Sequence, residues 1–328
     1  MRFLVIGSNS FSGANFVDLL LERGYEVTGV SRSPEPHAAF LPYRWGSRQS
    51  GFHFQQCDLN HDLDGLMDLV ARERPEYVVN FASLSMVGES WRHPDHWMTT
   101  NVVSTVRLHE RLRGCDFVSR YVHVSTPEVY GSTGGMVSED APFHPSTPYA
   151  VSRAAAEMSL RTFFVTYGFP VVVTRAASVF GPGQQLYRII PRTMLFLKLR
   201  RTLPLHGGGY SERSFIHIRD ACEAMLRITL DGRPGEAYHV STNRFVRVRD
   251  LVRLICERMG ARFEDSVEDA ADRLGKDAAY RLDTTKVRAE LGWTDRVGLE
   301  DGLDETIGWV DRFFDTLRTQ SFDYVHRP

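Results

Sequence analysis

Along the first 175 residues, short β-branched runs alternate with stretches whose apolar positions recur every three or four residues. Residues 3–6, 26–30, 53–57, 77–81, 121–125 and 171–174 read as strands; 16–23, 63–74, 96–112 and 149–167 read as helices. Mostly apolar strands separated by amphipathic helices predict an α/β fold, a Rossmann-type doubly wound parallel sheet with helices on both faces. After Arg175 the rhythm loosens. Gly181-Pro182-Gly183 leads to a basic helix over 190–201 and then to the Gly207-Gly208-Gly209 turn. Residues 215–218, the helix after Asp220 and residues 237–240 read as a return to the sheet. Helices near 248–259 and 303–314 would complete a smaller C-terminal α/β lobe. The expected division is residues 1–175 plus about 214–240 in one domain, and about 176–213 plus 241–328 in the other.

Composition narrows the class. With 42% hydrophobic and 24% charged residues and a net charge of −2, the chain has a globular core and no polyanion-binding balance, so no nucleic-acid partner is expected. Cys57, Cys115, Cys222 and Cys256 form no CxxC pair, the pattern of reduced intracellular thiols. No secretory leader is evident, and no apolar run approaches the ~18 residues of a membrane span, so a cytoplasmic protein is expected. The histidines lack ligand spacing, and no metal site is expected.

The first strand runs into Gly7-Ser8-Asn9-Ser10-Phe11-Ser12-Gly13 and a helix over 14–23. Glycines there allow a tight turn and close backbone approach, and a helix N-terminus presents free N–H groups to a pyrophosphate. The spacing is that of a G-x-x-G-x-x-G dinucleotide loop, with Ser10 in place of the middle glycine. The second strand ends Val30-Ser31-Arg32-Ser33, without a carboxylate for an adenosine ribose. Arg32 is placed instead to pair with a 2′-phosphate, which leans the expected NAD(P) cofactor toward NADP.

After the strand ending at Val124-Ser125 come Thr126-Pro127-Glu128-Val129-Tyr130-Gly131, and later Tyr149-Ala150-Val151-Ser152-Arg153. Tyr149 and Arg153 lie one turn apart on one helix face, where a fixed cation favours the phenolate. With Thr126 on a substrate hydroxyl, Tyr149 could move a proton as hydride is exchanged. Alone, Tyr149 reads as a packed helix tyrosine; beside the glycine loop the catalytic reading prevails.

These motifs resemble the extended short-chain dehydrogenases/reductases, and among them the nucleotide-sugar 4,6-dehydratases. The resemblance covers nearly the whole chain. It implies cofactor contacts from Gly7, Ser10, Phe11, Gly13, Arg32, Asp58, Leu59, Ala82, Asn101, Ser125, Tyr149 and Arg153. It implies a catalytic set of Thr126, Glu128, Tyr149 and Arg153. Substrate contacts would come from Ser85, Thr126, Ser178, Arg188, Arg213 and Arg273, the basic residues facing a nucleotide diphosphate. The sheet domain would hold NAD(P) and the smaller lobe the nucleotide-sugar. The implied reaction oxidises a hexose at C4 with Tyr149 as proton acceptor, removes the C5 proton through Glu128, expels water from C6 and returns hydride there. Pairing of the helices over 96–112 and 149–167 implies a homodimer.

Three residues depart from the pattern. Arg153 stands where the family has lysine, Ser178 where it has asparagine, and Pro127 where dTDP-glucose-type members carry the acid that protonates the departing hydroxyl. GDP-mannose-type members have serine there and keep the glutamate. A C4 epimerase or decarboxylase of the same superfamily, or a non-catalytic binding protein, are the alternatives these departures leave.

Overall fold

The computed structural model describes residues 1–46, 50–272 and 277–327. Strands β1 (Arg2–Ile6), β2 (Glu26–Ser31), β3 (Phe52–Gln56), β4 (Tyr77–Asn80), β5 (Arg120–Ser125) and β6 (Val171–Ala176) match the sequence pattern closely. Between them lie helices α1 (Phe11–Glu22), α2 (Leu63–Glu73), α3 (Pro94–Met98), α4 (Thr105–Leu112) and α5 (Pro148–Tyr167). The helix expected over 96–112 is interrupted by a π-helical turn at Thr99–Ser104 between α3 and α4.

Downstream come β7 (Ser178–Phe180), α6 (Ile189–Lys198), β8 (Leu203–His206), β9 (Glu212–His217), α7 (Ile218–Asp231), β10 (Ala237–Val240), β11 (Phe245–Arg247) and β12 (Val267–Ala270). Among the described residues, seven strands form one parallel sheet in the order β10-β6-β5-β4-β1-β2-β3. The fold class is therefore as the pattern predicted. One expected strand departs from it. Residues 215–218 do not return to the main sheet: β9 sits between β7 and β11 in a separate three-stranded sheet, and β10 makes the return. β12 pairs with β8.

β1 is buried on both faces because its side chains alternate between two cores. Phe3 and Val5 pack toward α1 and α7; Leu4 and Ile6 pack toward α2, α4 and α5. The chain order reverses between β1 and β4, whose carboxyl ends align at Ile6 and Asn80. A crevice beyond those ends is the expected ligand position in an open parallel sheet.

Candidate active site

A cleft of about 540 Å3 opens there. Of the cofactor residues expected from sequence, Gly7, Ser10, Arg32, Asp58, Leu59 and Ala82 line it. Gly7 has φ +85°, and a Cβ on it would meet the Ala82 nitrogen at 2.7 Å, so only glycine lets this turn pass beside β4. Gly13 contributes differently: a Cβ there would lie 2.2 Å from the Gly7 carbonyl oxygen. Its bareness seats α1 against the loop. Ser10 caps α1, its hydroxyl accepting from the Gly13 N–H at 3.0 Å, and so fixes the helix start aimed at the cleft.

Phe11, Asn101 and Ser125 do not line the cleft. Phe11 packs into the core beneath α1. Asn101, in the π-helical turn, is fully buried; its amide bonds the Leu84 carbonyl at 3.0 Å and the Ser152 hydroxyl at 2.9 Å, and its oxygen accepts from the Leu84 N–H at 2.9 Å. Thr100 lines the cleft instead. The Ser125 hydroxyl donates to Glu157. Both side chains are used inside the protein, because a buried polar group must find a partner.

The catalytic candidates do converge. Thr126 follows β5 and caps the short 3-10 turn Pro127–Tyr130, its hydroxyl accepting from the Glu128 N–H and donating to the Glu128 carboxylate. Tyr149 enters from the first turn of α5, capped by Thr147, and packs with Leu84, which lines the cleft, and Trp97. Burial, with the nearby Glu128 carboxylate, pushes the Tyr149 phenol up to about 12, against the pull of Arg153, Thr126 and Arg188. Arg153 does favour the phenolate, but it is outweighed: desolvation disfavours the charged form more than one guanidinium favours it.

Arg153 is 1% exposed and donates through Nη2 to the Val124 carbonyl. Its Nε and Nη1 are buried without a partner among the described residues. Uncompensated donors of this kind are costly, and here they lie one turn beyond the candidate catalytic tyrosine. Together with the bare Gly7 cradle and the capped start of α1, they fit a nicotinamide dinucleotide, to which the guanidinium would donate.

Glu128 is also held above the ordinary carboxylate range, chiefly by burial and further by Asp277, against Thr126, Arg213 and Arg188. Arg188 reaches Ser85 at 3.5 Å. Arg213 is anchored on the carbonyls of Asp277 (2.8 Å) and Ala278 (3.1 Å) and stacks over Tyr280 at 4.5 Å. Ser178 is partly buried at the first position of β7. Arg273 lies outside the described residues.

Sequence reasoning missed a supporting layer. Asp277 accepts from Tyr280 at 2.7 Å and from Ser146 at 3.0 Å, and burial with the Glu128 charge raises the Tyr280 phenol strongly. Behind β5, Glu157 pairs with Arg175, the two side chains 4% and 6% exposed. A glutamate four residues after Arg153 and an arginine closing a β-branched run were the available signals.

The family model for GDP-mannose 4,6 dehydratase matches residues 4–306. The dTDP-glucose 4,6-dehydratase of Xanthomonas campestris pv. campestris is 32% identical over 330 residues, covering 94% of this chain and 92% of that protein. A crystal structure of dTDP-glucose 4,6-dehydratase from Streptomyces venezuelae with NAD bound has a TM-score of 0.87 and 33% identity, covering 95% and 97% of the two chains. UDP-glucose 4-epimerase from Thermotoga maritima has the same TM-score, 0.87, at 26% identity, over 96% of this chain and 100% of its own. The chain belongs to the nucleotide-sugar 4,6-dehydratase family of extended short-chain dehydrogenases/reductases.

Proposed function

We propose that the protein is an NAD(P)-dependent nucleotide-sugar 4,6-dehydratase in which Glu128 serves as both base and acid. The observation that carries this reading is the junction of Thr126, Glu128 and Tyr149 beside the dinucleotide cleft. The bound cofactor supplies the hydride acceptor for C4 and the hydride returned to C6. Tyr149 takes the O4 proton, and Arg153 would hold the cofactor while favouring the ionised phenol. Glu128 then removes the proton α to the new ketone.

Pro127 has no side-chain proton to give, so the departing C6 hydroxyl needs another donor. A carboxyl raised by burial retains a proton more readily near neutral pH, which suits Glu128 to hand on what it has just accepted. The proton lost from C5 thereby leaves as part of water. Arg188, Arg213 and Ser85 would meet the nucleotide diphosphate and sugar. Arg32, with Glu35 occupied by Tyr43 and Arg44, favours NADP over NAD.

Val151, Met158 and Val165, seven residues apart on α5, are 40%, 63% and 71% exposed, an apolar stripe suited to a homodimer. Free thiols at all four cysteines suit the reducing cytoplasm. Mass spectrometry after incubation with a panel of nucleotide-hexoses tests the activity. Loss of water is expected; an isobaric product, loss of carbon dioxide, or binding without turnover would replace this reading with an epimerase, a decarboxylase or a binding protein.

A further inference from the structure

Residues 322–327 run from α6 to the rim of the cleft, which Arg327 lines, and their side chains alternate. Phe322, Tyr324 and His326 are partly buried, while Asp323, Val325 and Arg327 are exposed. Alternate side chains thus turn inward, and rings hold them there. Phe322 meets Phe196 of α6 at 5.7 Å, and its carbonyl accepts from Arg192 at 3.0 Å. Tyr324 stands edge-on to Tyr187, the neighbour of Arg188, at 5.4 Å. His326 stacks on Trp97, His96 and His93 of the α3 region at 5.1, 5.2 and 5.4 Å, and hydrogen-bonds His96 at 2.8 Å. Arg327 then enters the lining of the dinucleotide cleft together with Arg32, 3.4 Å from the Ser33 hydroxyl. Six residues thus connect α6 to the loop after β2, passing the arginine expected to meet the diphosphate.

We propose that residues 322–327 are a strap that retains the dinucleotide, latched by the His326 stack, with Arg327 adding a second guanidinium at the cofactor's phosphate-bearing adenosine end. The proposal rests on the dinucleotide reading of the cleft. Retention serves a reaction that restores its cofactor in every turnover. The latch is also titratable. Asp95 lies 3.8 Å from His96, Glu89 and Arg32 act on His326 from the facing turns, and Tyr324 is its neighbour on the tail. Burial and then the two histidines lower His326 below its ordinary value. A lowered histidine favours the neutral stack, so the latch holds above the ordinary histidine pKa of about 6.5 and weakens as pH falls below it.

The test is the dissociation rate of bound NADPH and NADH from the full chain, read as loss of nicotinamide fluorescence on dilution into excess oxidised cofactor. H326A and Y324A/H326A are expected to speed release about tenfold. R327Q should speed release of NADPH more than of NADH. Acidification from pH 7.5 to 5.5 should speed release from the parent protein and leave H326A little changed. Unaltered release in all three variants, with circular dichroism showing an intact fold, would overturn the strap. Failure of the parent protein to bind either dinucleotide would overturn the cofactor reading and the strap with it.

Discussion

Replacing Glu128 by glutamine separates the oxidation of the substrate from its dehydration. The substitution is close to isosteric, and the amide can still accept from the Thr126 hydroxyl and the turn that Thr126 caps stays in place. What disappears is a group able to take the C5 proton and pass it to the C6 hydroxyl. Positioned acid–base groups contribute about 10²- to 10⁴-fold, or ~3–5 kcal/mol at 1.36 kcal/mol per decade. One group acts twice on the same proton, so the two losses do not add, and kcat should fall within that range. Tyr149 is untouched, so hydride removal at C4 persists. Stopped-flow absorbance should then show reduced nicotinamide accumulating in E128Q, and mass spectrometry should show no loss of water. Dehydration at the parent rate would refute the role of Glu128; loss of nicotinamide reduction as well would place its action before elimination. The same variant reports on stability. Burial raises the folded-state pKa of Glu128, so its protonated form is favoured in the fold and stability is lost as pH rises from about 4.5 through the raised value. Denaturation midpoints should therefore favour E128Q over the parent at pH 8, with the gain disappearing toward pH 4.

Tyr149→Phe removes the only proton acceptor assigned at O4; nicotinamide reduction should drop about 10²- to 10⁴-fold in single-turnover absorbance while dinucleotide affinity holds within a few-fold. Glu157→Ala strands the Arg175 guanidinium in a site where both side chains are nearly inaccessible; urea denaturation should show a loss of about 3–5 kcal/mol. Arg32→Ala should erode preference for NADP over NAD by about tenfold or more in titrations, as expected for a charge-assisted contact worth ~1.5–3 kcal/mol; an unchanged ratio would show that Arg32 does not read the 2′-phosphate. Met158→Glu places a charge in the middle of the exposed α5 stripe; light scattering should report a dimer for the parent protein and a monomer for the variant, and a monomeric parent would refute the pairing.

The linear chain carried whatever depends on period and local stereochemistry. β-Branched runs and helical spacing set the parallel sheet. Gly7 and Gly13 announced positions in which a side chain has no room, and the fold gives the reason at the Ala82 nitrogen and the Gly7 carbonyl. The spacing of Tyr149 and Arg153 put both on one face of α5. Tertiary structure decided everything that depends on solvent exclusion and on contacts distant in sequence. Burial reverses the balance at Tyr149, which spacing alone assigned to Arg153. Asn101 and Ser125 carry suitable atoms, yet Leu84, Ser152 and Glu157 engage them first. Asp277 and Tyr280 come to Glu128 from about 150 positions away, and Arg327 reaches Ser33 across 294. A one-dimensional pattern specifies which face a side chain takes; only the folded chain determines which dielectric and which charges that face will meet.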